Sequence, residues 1–293
     1  QIDTVLSGTQ GLNIGSPNSP TSQRSPADFA FGSSVTLNAA NTFTGGTTID
    51  RNAVVIAAHN QALGATGGVT LNQGTLAVAQ GVTTSFSASH PLTLNGGRLA
   101  GAGTLAFDGV NAPLKVAGGT NGPATLSPGF QQPGKLNFNF TNGATLILDA
   151  GGNYHWKLMD AGNATGGWDT IAVSGPVTIS ADAIAPFNLT IATVNADGSS
   201  GPAGNFDVYS SYSWTLLTAD SITGFDPTYF NIDGALFINR TLDGTFSVAL
   251  DGAGTSLMLN YTAAAIPEPS TWALMIIGIS AIAFSSLRRR RQN

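Results

Sequence analysis

The side chains that could carry catalysis or bind a metal are few in this sequence and stand far apart. The three histidines are His59, His90 and His155, and none has a partner at the spacing of a metal site. A zinc site requires three or four nitrogen, sulfur or carboxylate ligands. His155 lies between Tyr154 and Trp156, but a solvated histidine on a strand is the simpler interpretation. The sequence therefore predicts no metal and no cofactor.

The charged residues also argue against catalysis. They form 9% of the 293 residues, against about 25% in an average soluble domain. The 16 acidic residues are scattered singly, and the absence of cysteine excludes a thiol nucleophile and a disulfide framework. The motifs of serine hydrolases, metalloproteases and P-loop proteins are absent from the sequence. We therefore predict that the chain is not an enzyme.

The net charge of −5 combines two unlike parts of the chain. Four of the eleven basic residues are Arg288, Arg289, Arg290 and Arg291, next to the C-terminus. The rest of the sequence carries 16 acidic and 7 basic residues, a balance of about −9. Because such a body repels phosphate backbones, we predict that it binds no nucleic acid.

Three aromatic residues are candidates for binding a sugar. Tyr154, Trp156 and Trp168 come close together in the sequence, in a chain rich in Asn, Thr and Ser. Aromatic rings stack on sugars, and neutral polar side chains donate and accept hydrogen bonds. These three residues are the predicted glycan contacts. Packing of the rings in the core, or in a cap over its end, is the simpler alternative.

Short repeated strands must position these side chains. The phrase Val-Thr-Leu-Asn stands at 35–38 and 69–72, and Leu-Thr-Leu-Asn at 92–95. The last two are followed by the units Gln-Gly-Thr-Leu-Ala at 73–77 and Gly-Gly-Arg-Leu-Ala at 96–100. Alternation of Val or Leu with Thr is typical of half-buried strands, and Gly-Gly and Asn-Gly are typical of turns.

The spacing of these phrases favours a solenoid over a sandwich. Strands of three to five residues are short for a sandwich, and a phrase that returns after about 20 to 35 residues is typical of stacked repeats. We therefore predict an all-β fold, a right-handed parallel β-helix with a C-terminal β cap region. Its predicted inward side chains are Leu71, Leu76, Val78, Leu94, Leu99 and Leu105.

Composition divides the chain into four predicted segments. Residues 1–32 form a loose lead-in rich in Ser, Pro and Gly, and residues 33–150 form the solenoid repeats. Residues 151–263 hold most of the tyrosine and tryptophan, either as a cap or as the last turns of the solenoid. Residues 266–293 form a separate C-terminal segment.

The C-terminal segment has the composition of a membrane anchor. Residues 272–287, from Trp272 to Leu287, carry no charge, and four arginines follow them directly. A helix of 16 residues covers roughly 24 Å, and flanking Trp and Arg side chains can reach the two interfaces. We predict a single transmembrane helix over 272–287, with the arginines in the cytoplasm and the preceding body outside it. A buried helix of a soluble domain is the alternative.

The order of features at this end resembles a known sorting signal. Pro267-Glu268-Pro269, the apolar stretch from Trp272 and the arginine cluster are similar to the PEP-CTERM sorting signal, a segment also labelled as an ice-binding protein C-terminal domain. The resemblance implies an exported protein of a Gram-negative, exopolysaccharide-producing bacterium. It also implies a transient hold in the inner membrane, with Pro267, Glu268 and Pro269 recognised by an exosortase. The stretch from Gln1 to Ser25 has neither the basic nor the apolar region of a signal peptide, and we expect that a signal peptide has been removed.

A second resemblance concerns the repeats. Asn-Thr-Phe-Thr-Gly-Gly-Thr-Thr-Ile at 41–49, followed by Ala-Leu-Gly at 62–64, is similar to the passenger repeat of autotransporters. That resemblance implies a β-helical stalk displayed at the cell surface. The C-terminal segment departs from that family, so only the stalk fold is implied.

These patterns together predict an exported, non-catalytic protein of the cell surface or extracellular matrix, associated with exopolysaccharide and biofilm. Two alternatives remain open at the level of the sequence. One is a carbohydrate-binding adhesin, and the other is a β-helical enzyme acting on polysaccharide. An enzyme of that kind groups its carboxylates with Arg or Lys on one face, whereas the seven basic residues of the body are spread over more than 200 positions.

Overall fold

The computed structural model describes residues 1–15, 34–109, 113–162 and 165–263, and this part of the chain is all-β. The strands are β1 (Leu12–Ile14), β2 (Ser34–Leu37), β3 (Thr47–Asp50), β4 (Val54–Ala57), β5 (Val69–Asn72), β6 (Thr75–Val78), β7 (Thr83–Ser87), β8 (Leu92–Leu94), β9 (Gly97–Gly101), β10 (Thr104–Asp108), β11 (Leu114–Val116), β12 (Gly118–Gly119), β13 (Gly122–Pro128), β14 (Lys135–Thr141), β15 (Leu146–Leu148), β16 (Asn153–Leu158), β17 (Thr170–Ser174), β18 (Pro176–Ile179), β19 (Phe187–Thr193), β20 (Tyr212–Thr218), β21 (Ser221–Thr223), β22 (Phe230–Leu236), β23 (Thr245–Leu250) and β24 (Ser256–Thr262). A 3-10 helix covers Pro227–Tyr229.

The strands form four sheets within the described residues, and nearly all pairings are parallel. Sheet 1 has the order β1-β3-β5-β8, and sheet 2 has the order β2-β4-β6-β9-β13-β16-β19-β22, with β12 paired to β13. Sheet 3 has the order β23-β24-β20-β17-β14-β10-β7, and sheet 4 has the order β11-β15-β18-β21. Neighbours that pair in parallel come from successive passes of the chain, whereas β12, β23 and β24 pair antiparallel.

The chain visits these sheets in a fixed cycle. After β7 in sheet 3 it passes through β8 in sheet 1, β9 in sheet 2 and β10 in sheet 3. From β11 onward sheet 4 takes the place of sheet 1 in this cycle. Parallel sheets visited in rotation are consistent with the predicted β-helix, and its right-handed sense stays a prediction. We use the word turn for one complete cycle.

The repeated phrases of the sequence stack on one another. Val69 pairs with Leu92 and Leu71 with Leu94, so that the phrase at 69–72 lies directly beside the phrase at 92–95. The units that follow them pair in the same way, Leu76 with Leu99. The repeat length of 23 residues, from position 69 to position 92, therefore corresponds to one turn.

The core runs along the axis of the stack. Five of the six predicted inward side chains are at most 1% exposed, and Leu94 is partly buried against the same core. In sheet 3 the aromatic side chains Phe86, Phe107 and Phe140 come from successive turns in register. Their ring centroids lie 5.1 and 4.9 Å apart, so each ring stacks on its counterpart.

Polar side chains repeat along the stack as well. Asn95 Nδ2 donates to Asn72 Oδ1 over 3.0 Å, and Asn72 Nδ2 donates to Asp50 Oδ1 over 3.1 Å. These residues end β3 and β5 and follow β8, so the same corner is bridged in three successive turns. Because each amide can both donate and accept, a column of this kind satisfies polar groups that are removed from water.

The C-terminal end of the stack breaks the parallel pattern. Strand β24 pairs antiparallel with β20 on one side and with β23 on the other. Sheets 2, 3 and 4 themselves continue across residue 150, since β13 pairs with β16, β14 with β17 and β15 with β18. The boundary between the predicted segments 33–150 and 151–263 stays a prediction, and the lead-in over 1–32 is described only as far as residue 15.

Glycine is required where neighbouring turns come closest. Gly101 has φ of +99°, and a Cβ at this position would lie 2.1 Å from the backbone oxygen of Val78 in the preceding turn. Gly109 has the same φ of +99°, but a Cβ there would meet no atom of the described residues within 4 Å. The two positions therefore share the backbone conformation and differ in the space available.

We predict that Gly101→Ala destabilises the protein by at least about 2 kcal/mol, because it adds a backbone collision to the roughly 1–2 kcal/mol cost of a left-handed backbone. Gly109→Ala should cost only the conformational part. The measurement is urea denaturation of both full-length variants. Equal destabilisation by the two variants would contradict the close approach of the turns at Gly101.

Candidate functional site

The predicted sorting motif and membrane anchor lie outside the described residues. Pro267, Glu268 and Pro269, together with residues 272–287 and the arginine cluster, belong to this part of the chain. Among the residues that the structure does describe, no helix has the length and apolar character needed to cross a bilayer. The prediction of a transmembrane helix over 272–287 therefore stays a prediction.

Two of the three predicted glycan contacts lie in the core. Tyr154 is 4% exposed and Trp156 is fully buried, both on the inner side of β16. The Tyr154 hydroxyl donates to Leu216 O over 3.1 Å, and Trp156 Nε1 donates to Asp169 O over 2.8 Å. Neither ring can offer a face to a sugar, so the packing alternative holds for these two residues and their assignment as glycan contacts is corrected.

Trp168 has a different environment. It is partly buried, packs against the edge of the core and forms a single antiparallel bridge with Leu158. Of the three predicted aromatic contacts, it is the one that keeps solvent access. The three side chains therefore do not form a common platform.

The structure brings together a charged pair that the sequence analysis missed. Lys157 alternates along β16 with Trp156 and Leu158, which belong to the core, and so its side chain leaves the opposite side of sheet 2. Its Nζ lies 2.7 Å from Asp169 Oδ2, and both side chains are 0% exposed. A buried charge at this position is the most unusual electrostatic feature of the described residues.

Hydrogen bonds from three segments complete this pair. Lys157 Nζ also donates to Pro128 O over 2.6 Å, and the Lys157 backbone N–H donates to Asp169 Oδ2 over 3.0 Å. Asp169 Oδ1 accepts from the Gly134 backbone N–H over 2.8 Å. The pair therefore connects β16 to the loop after β13 and to the loop before β17, and both carboxylate oxygens have partners.

Loops cover the pair from solvent. Next to Lys157 in sheet 2 stands Ala192, which forms with Val194 a small buried apolar cluster on the outer side of the sheet. Met159, in the loop before β17, packs against this cluster, and the same loop is held by the Ala161 N–H, which donates to Gly204 O over 2.8 Å. A Gln132 side-chain amide also donates to Ala196 O and joins two of these loops.

Burial shifts the titration of these groups. It raises the pKa of Asp169 to about 6, although Lys157 and the backbone donors act in the opposite direction. Burial also lowers the pKa of Lys157, against the attraction of Asp169. The pKa of His155 is held well below its ordinary value by burial and by the nearby Lys157 and Arg98 charges, so that this histidine is neutral at pH 7.

This arrangement has the properties of a structural tie. A general acid or base has to reach the proton that it transfers, and a fully buried pair with every partner supplied by the protein cannot do so. No group of three His, Cys, Asp or Glu side chains within the described part of the chain is arranged to hold a metal ion. In the sequence, the only signal for the pair is a lysine set between Trp156 and Leu158 in a chain with few charges.

The comparisons with known proteins concern the other end of the chain. The described body is an all-β stack of parallel sheets, and it is followed by a segment with the composition of a sorting signal. Residues 265–291 match the PEP-CTERM protein-sorting motif. The chain therefore carries a PEP-CTERM motif, which indicates an exported protein that an exosortase-type enzyme processes.

A search of curated proteins finds no match to this chain. The motif covers the C-terminal segment alone, so the function of the body depends on its own structure. The resemblance of the repeats to autotransporter passengers stays a prediction.

We predict that Asp169→Asn lowers the free energy of unfolding by about 3–5 kcal/mol, because it leaves the Lys157 ammonium buried without a counter-charge. The double variant Lys157→Met, Asp169→Asn should recover most of this loss, because it removes both charges. Urea denaturation of the full chain measures both values.

Lys115→Ala provides the control for these variants. Lys115 Nζ pairs with Asp149 Oδ2 at 2.5 Å, but the lysine side chain is 60% exposed. An exposed pair contributes about 0–1 kcal/mol. If Asp169→Asn cost no more than Lys115→Ala, the buried pair would not be the structural tie described here.

Proposed function

We propose that the protein is an exported, non-catalytic scaffold of the cell surface or extracellular matrix. The observation that carries this proposal is the continuous stack of parallel strands that precedes a PEP-CTERM motif. Stacked turns place side chains at regular intervals over a long surface, which suits a structural component better than a catalyst. The motif directs the export of the protein, and the stack provides an extended surface.

We infer further that the C-terminal segment holds the protein transiently in the inner membrane. Residues 272–287 would form the membrane helix, with Arg288 to Arg291 in the cytoplasm and the body outside it. Pro267, Glu268 and Pro269 would be the element recognised by the exosortase. Two prolines would favour an extended element and remove backbone donors, which suits entry into the cleft of another protein.

The outer surface of sheet 2 supports an association with exopolysaccharide. Asn153, Asn188 and Asn231 stand in register in three successive turns. The Asn231 side-chain amide donates to Asn188 Oδ1 over 3.0 Å, and the Thr190 hydroxyl donates to Asn153 Oδ1 over 3.1 Å. A surface of neutral hydrogen-bonding groups can contact sugar hydroxyls without displacing bound counter-ions.

A carbohydrate-binding adhesin remains the second candidate function, and Trp168 is the observation in its favour. Trp168 is partly exposed, and an exposed aromatic ring can stack on one sugar unit. The third alternative, an enzyme acting on polysaccharide, has less support, because the buried Lys157–Asp169 pair is not accessible to a substrate.

For sorting, we predict that replacing Pro267, Glu268 and Pro269 with alanine abolishes processing and retains the protein in the inner-membrane fraction. The exosortase would no longer recognise its element, whereas the membrane segment is unchanged. Cell fractionation and the electrophoretic size of the protein measure the result in a host that has the exosortase.

The control for this experiment is Pro202→Ala with Asp220→Ala, two exposed positions of the body. This variant should be processed and delivered like the parent protein. Unchanged processing of the triple-alanine variant would overturn the assigned role of the motif.

For the adhesin alternative, we predict that Trp168→Ala leaves the retention of purified exopolysaccharide on the protein nearly unchanged, since binding by a scaffold is spread over many weak polar contacts. Trp168→Phe serves as the matched control for loss of packing. A loss of retention of tenfold or more in the alanine variant alone, which corresponds to about 1.4 kcal/mol, would favour the adhesin.

A further inference from the structure

The chain leaves the described body at a defined place. The Ala263 backbone N–H donates to Ser211 Oγ over 3.0 Å, directly after β24. In sheet 3 the last residues of β24 pair with the first residues of its two neighbours, Tyr261 with Tyr212 and Thr262 with Thr245. The C-terminal segment therefore starts at the edge where β20 and β23 begin.

Three apolar side chains with large exposed fractions stand in the loops that lead into β20 and β23, the two strands that begin at this edge. Tyr209 is 46% exposed, Ile238 is 51% exposed and Leu242 is 38% exposed. The Tyr261 hydroxyl lies 3.2 Å from Val208 O and 3.0 Å from Thr241 O, so the peptide groups that precede Tyr209 and Leu242 are neighbours in space. We call Tyr209, Ile238 and Leu242 the exit patch.

An aromatic cluster supports the exit patch from below. The rings of Phe237 and Phe206 lie 5.2 Å apart, and those of Phe206 and Tyr261 lie 5.1 Å apart. Ile238 directly follows Phe237, and Tyr261 contacts the carbonyl groups next to the other two members of the patch. The loops that carry the exit patch therefore lie against this aromatic cluster.

Leu242 adopts a backbone conformation that is unfavourable for leucine. Its φ is +50°, in the left-handed region that glycine and asparagine adopt most readily. The other described non-glycine residues with positive φ are three asparagines and one glutamine, so Leu242 is the apolar one among them: Asn52, Gln73, Asn142 and Asn205. Leu242 therefore places a hydrophobic side chain at a loop position where backbone stability alone would favour asparagine.

The length of the C-terminal segment limits how far the exit patch can be from a membrane. Nine peptide units separate Ala263 from Trp272, the first residue of the predicted membrane helix. A fully extended chain covers at most about 3.6 Å per residue, which gives roughly 32 Å. A tether of this length keeps the exit patch at a high local concentration over the bilayer surface.

Charges near the exit patch do not prevent such a contact. The Asp207 carboxylate accepts hydrogen bonds from the Tyr209 backbone N–H over 3.0 Å and from the Ser210 hydroxyl over 2.8 Å. Arg240 and Asp243 lie in the same loop as Leu242, between β22 and β23, and carry opposite charges. The charges of that loop therefore cancel. The hydrogen bonds to Asp207 lower its pKa, so its carboxylate leaves one negative charge close to Tyr209.

We propose that the exit patch docks on the lipid bilayer while the C-terminal segment is still in the membrane. Tyrosine suits the headgroup region, and isoleucine and leucine gain by shallow burial among the acyl chains. The proposal rests on the membrane anchor inferred above. Its consequence is that the stack has a fixed orientation on the membrane before the exosortase acts, with one end at the lipid surface.

Spin labelling of single cysteines tests this proposal on the full chain, since the chain contains no cysteine of its own. Leu242→Cys carries the label in the exit patch, and Ile279→Cys carries it in the apolar segment. Ile184→Cys is the matched control, because Ile184 is 95% exposed in the turn between β18 and β19. Each protein is reconstituted in nanodiscs of phosphatidylcholine.

The measurement is the ratio of label collisions with dissolved oxygen to collisions with a water-soluble nickel chelate. We expect this ratio to be severalfold higher at positions 242 and 279 than at position 184, because oxygen is enriched in the bilayer. If position 279 gave a high ratio and position 242 matched position 184, docking would be refuted and the anchor would stand. A low ratio at position 279 would refute the anchor and the docking with it.

A second variant separates docking from folding. In a protein labelled at Ile238→Cys, the added change Leu242→Asn should lower the collision ratio toward that of position 184. The midpoint of thermal unfolding should not fall, because asparagine tolerates the left-handed backbone. An unchanged ratio would contradict the proposal. Spin–spin broadening in discs that hold two copies of the protein would contradict it as well, because the patch would then be a contact between copies.

Discussion

The structure depends on one constraint, the in-register pairing of each strand with the equivalent strand of the next turn. Backbone N–H and C=O groups of β5 or β16 find their partners only in adjacent turns, because the three strands of one turn lie in different sheets. The same register places Phe107 between Phe86 and Phe140. A side chain is thus selected by its two neighbours along the stack more than by its neighbours in the sequence.

This constraint explains what the sequence could predict. Where the turns repeat at 23 residues, like side chains stack on like, and the pattern of Leu71, Leu76 and Leu99 can be read directly from the repeated phrases. After residue 150 the repetition is weaker, and composition alone could not decide whether Trp156 faces the core or the solvent. The pairing of Lys157 with Asp169 was beyond reach, because it depends on how loops from different turns fold over sheet 2. The C-terminal motif was predictable because its recognition requires only the local order of residues.

The stacking of turns gives a physical reason for the small number of charged residues in this chain. Equivalent positions of adjacent turns are about 4.8 Å apart, so a repeated charge would be repelled by its own copies. Asparagine and threonine avoid this repulsion and still form hydrogen bonds between turns, as Asp50, Asn72 and Asn95 do with a single charge at one end. The buried Lys157–Asp169 pair avoids this repulsion because the residue in register with Lys157 in the next turn is the uncharged Ala192.

Because strands pair only with strands of adjacent turns, the length of the stack can change without changing how the remaining turns are held together. The eight strands along sheet 2 extend over roughly 34 Å at about 4.8 Å per step. Duplication or loss of a whole turn during evolution would change this height by one step and leave the remaining interfaces intact. Proteins of this design can therefore differ in length by discrete increments, while the antiparallel end formed by β23 and β24 stays the same.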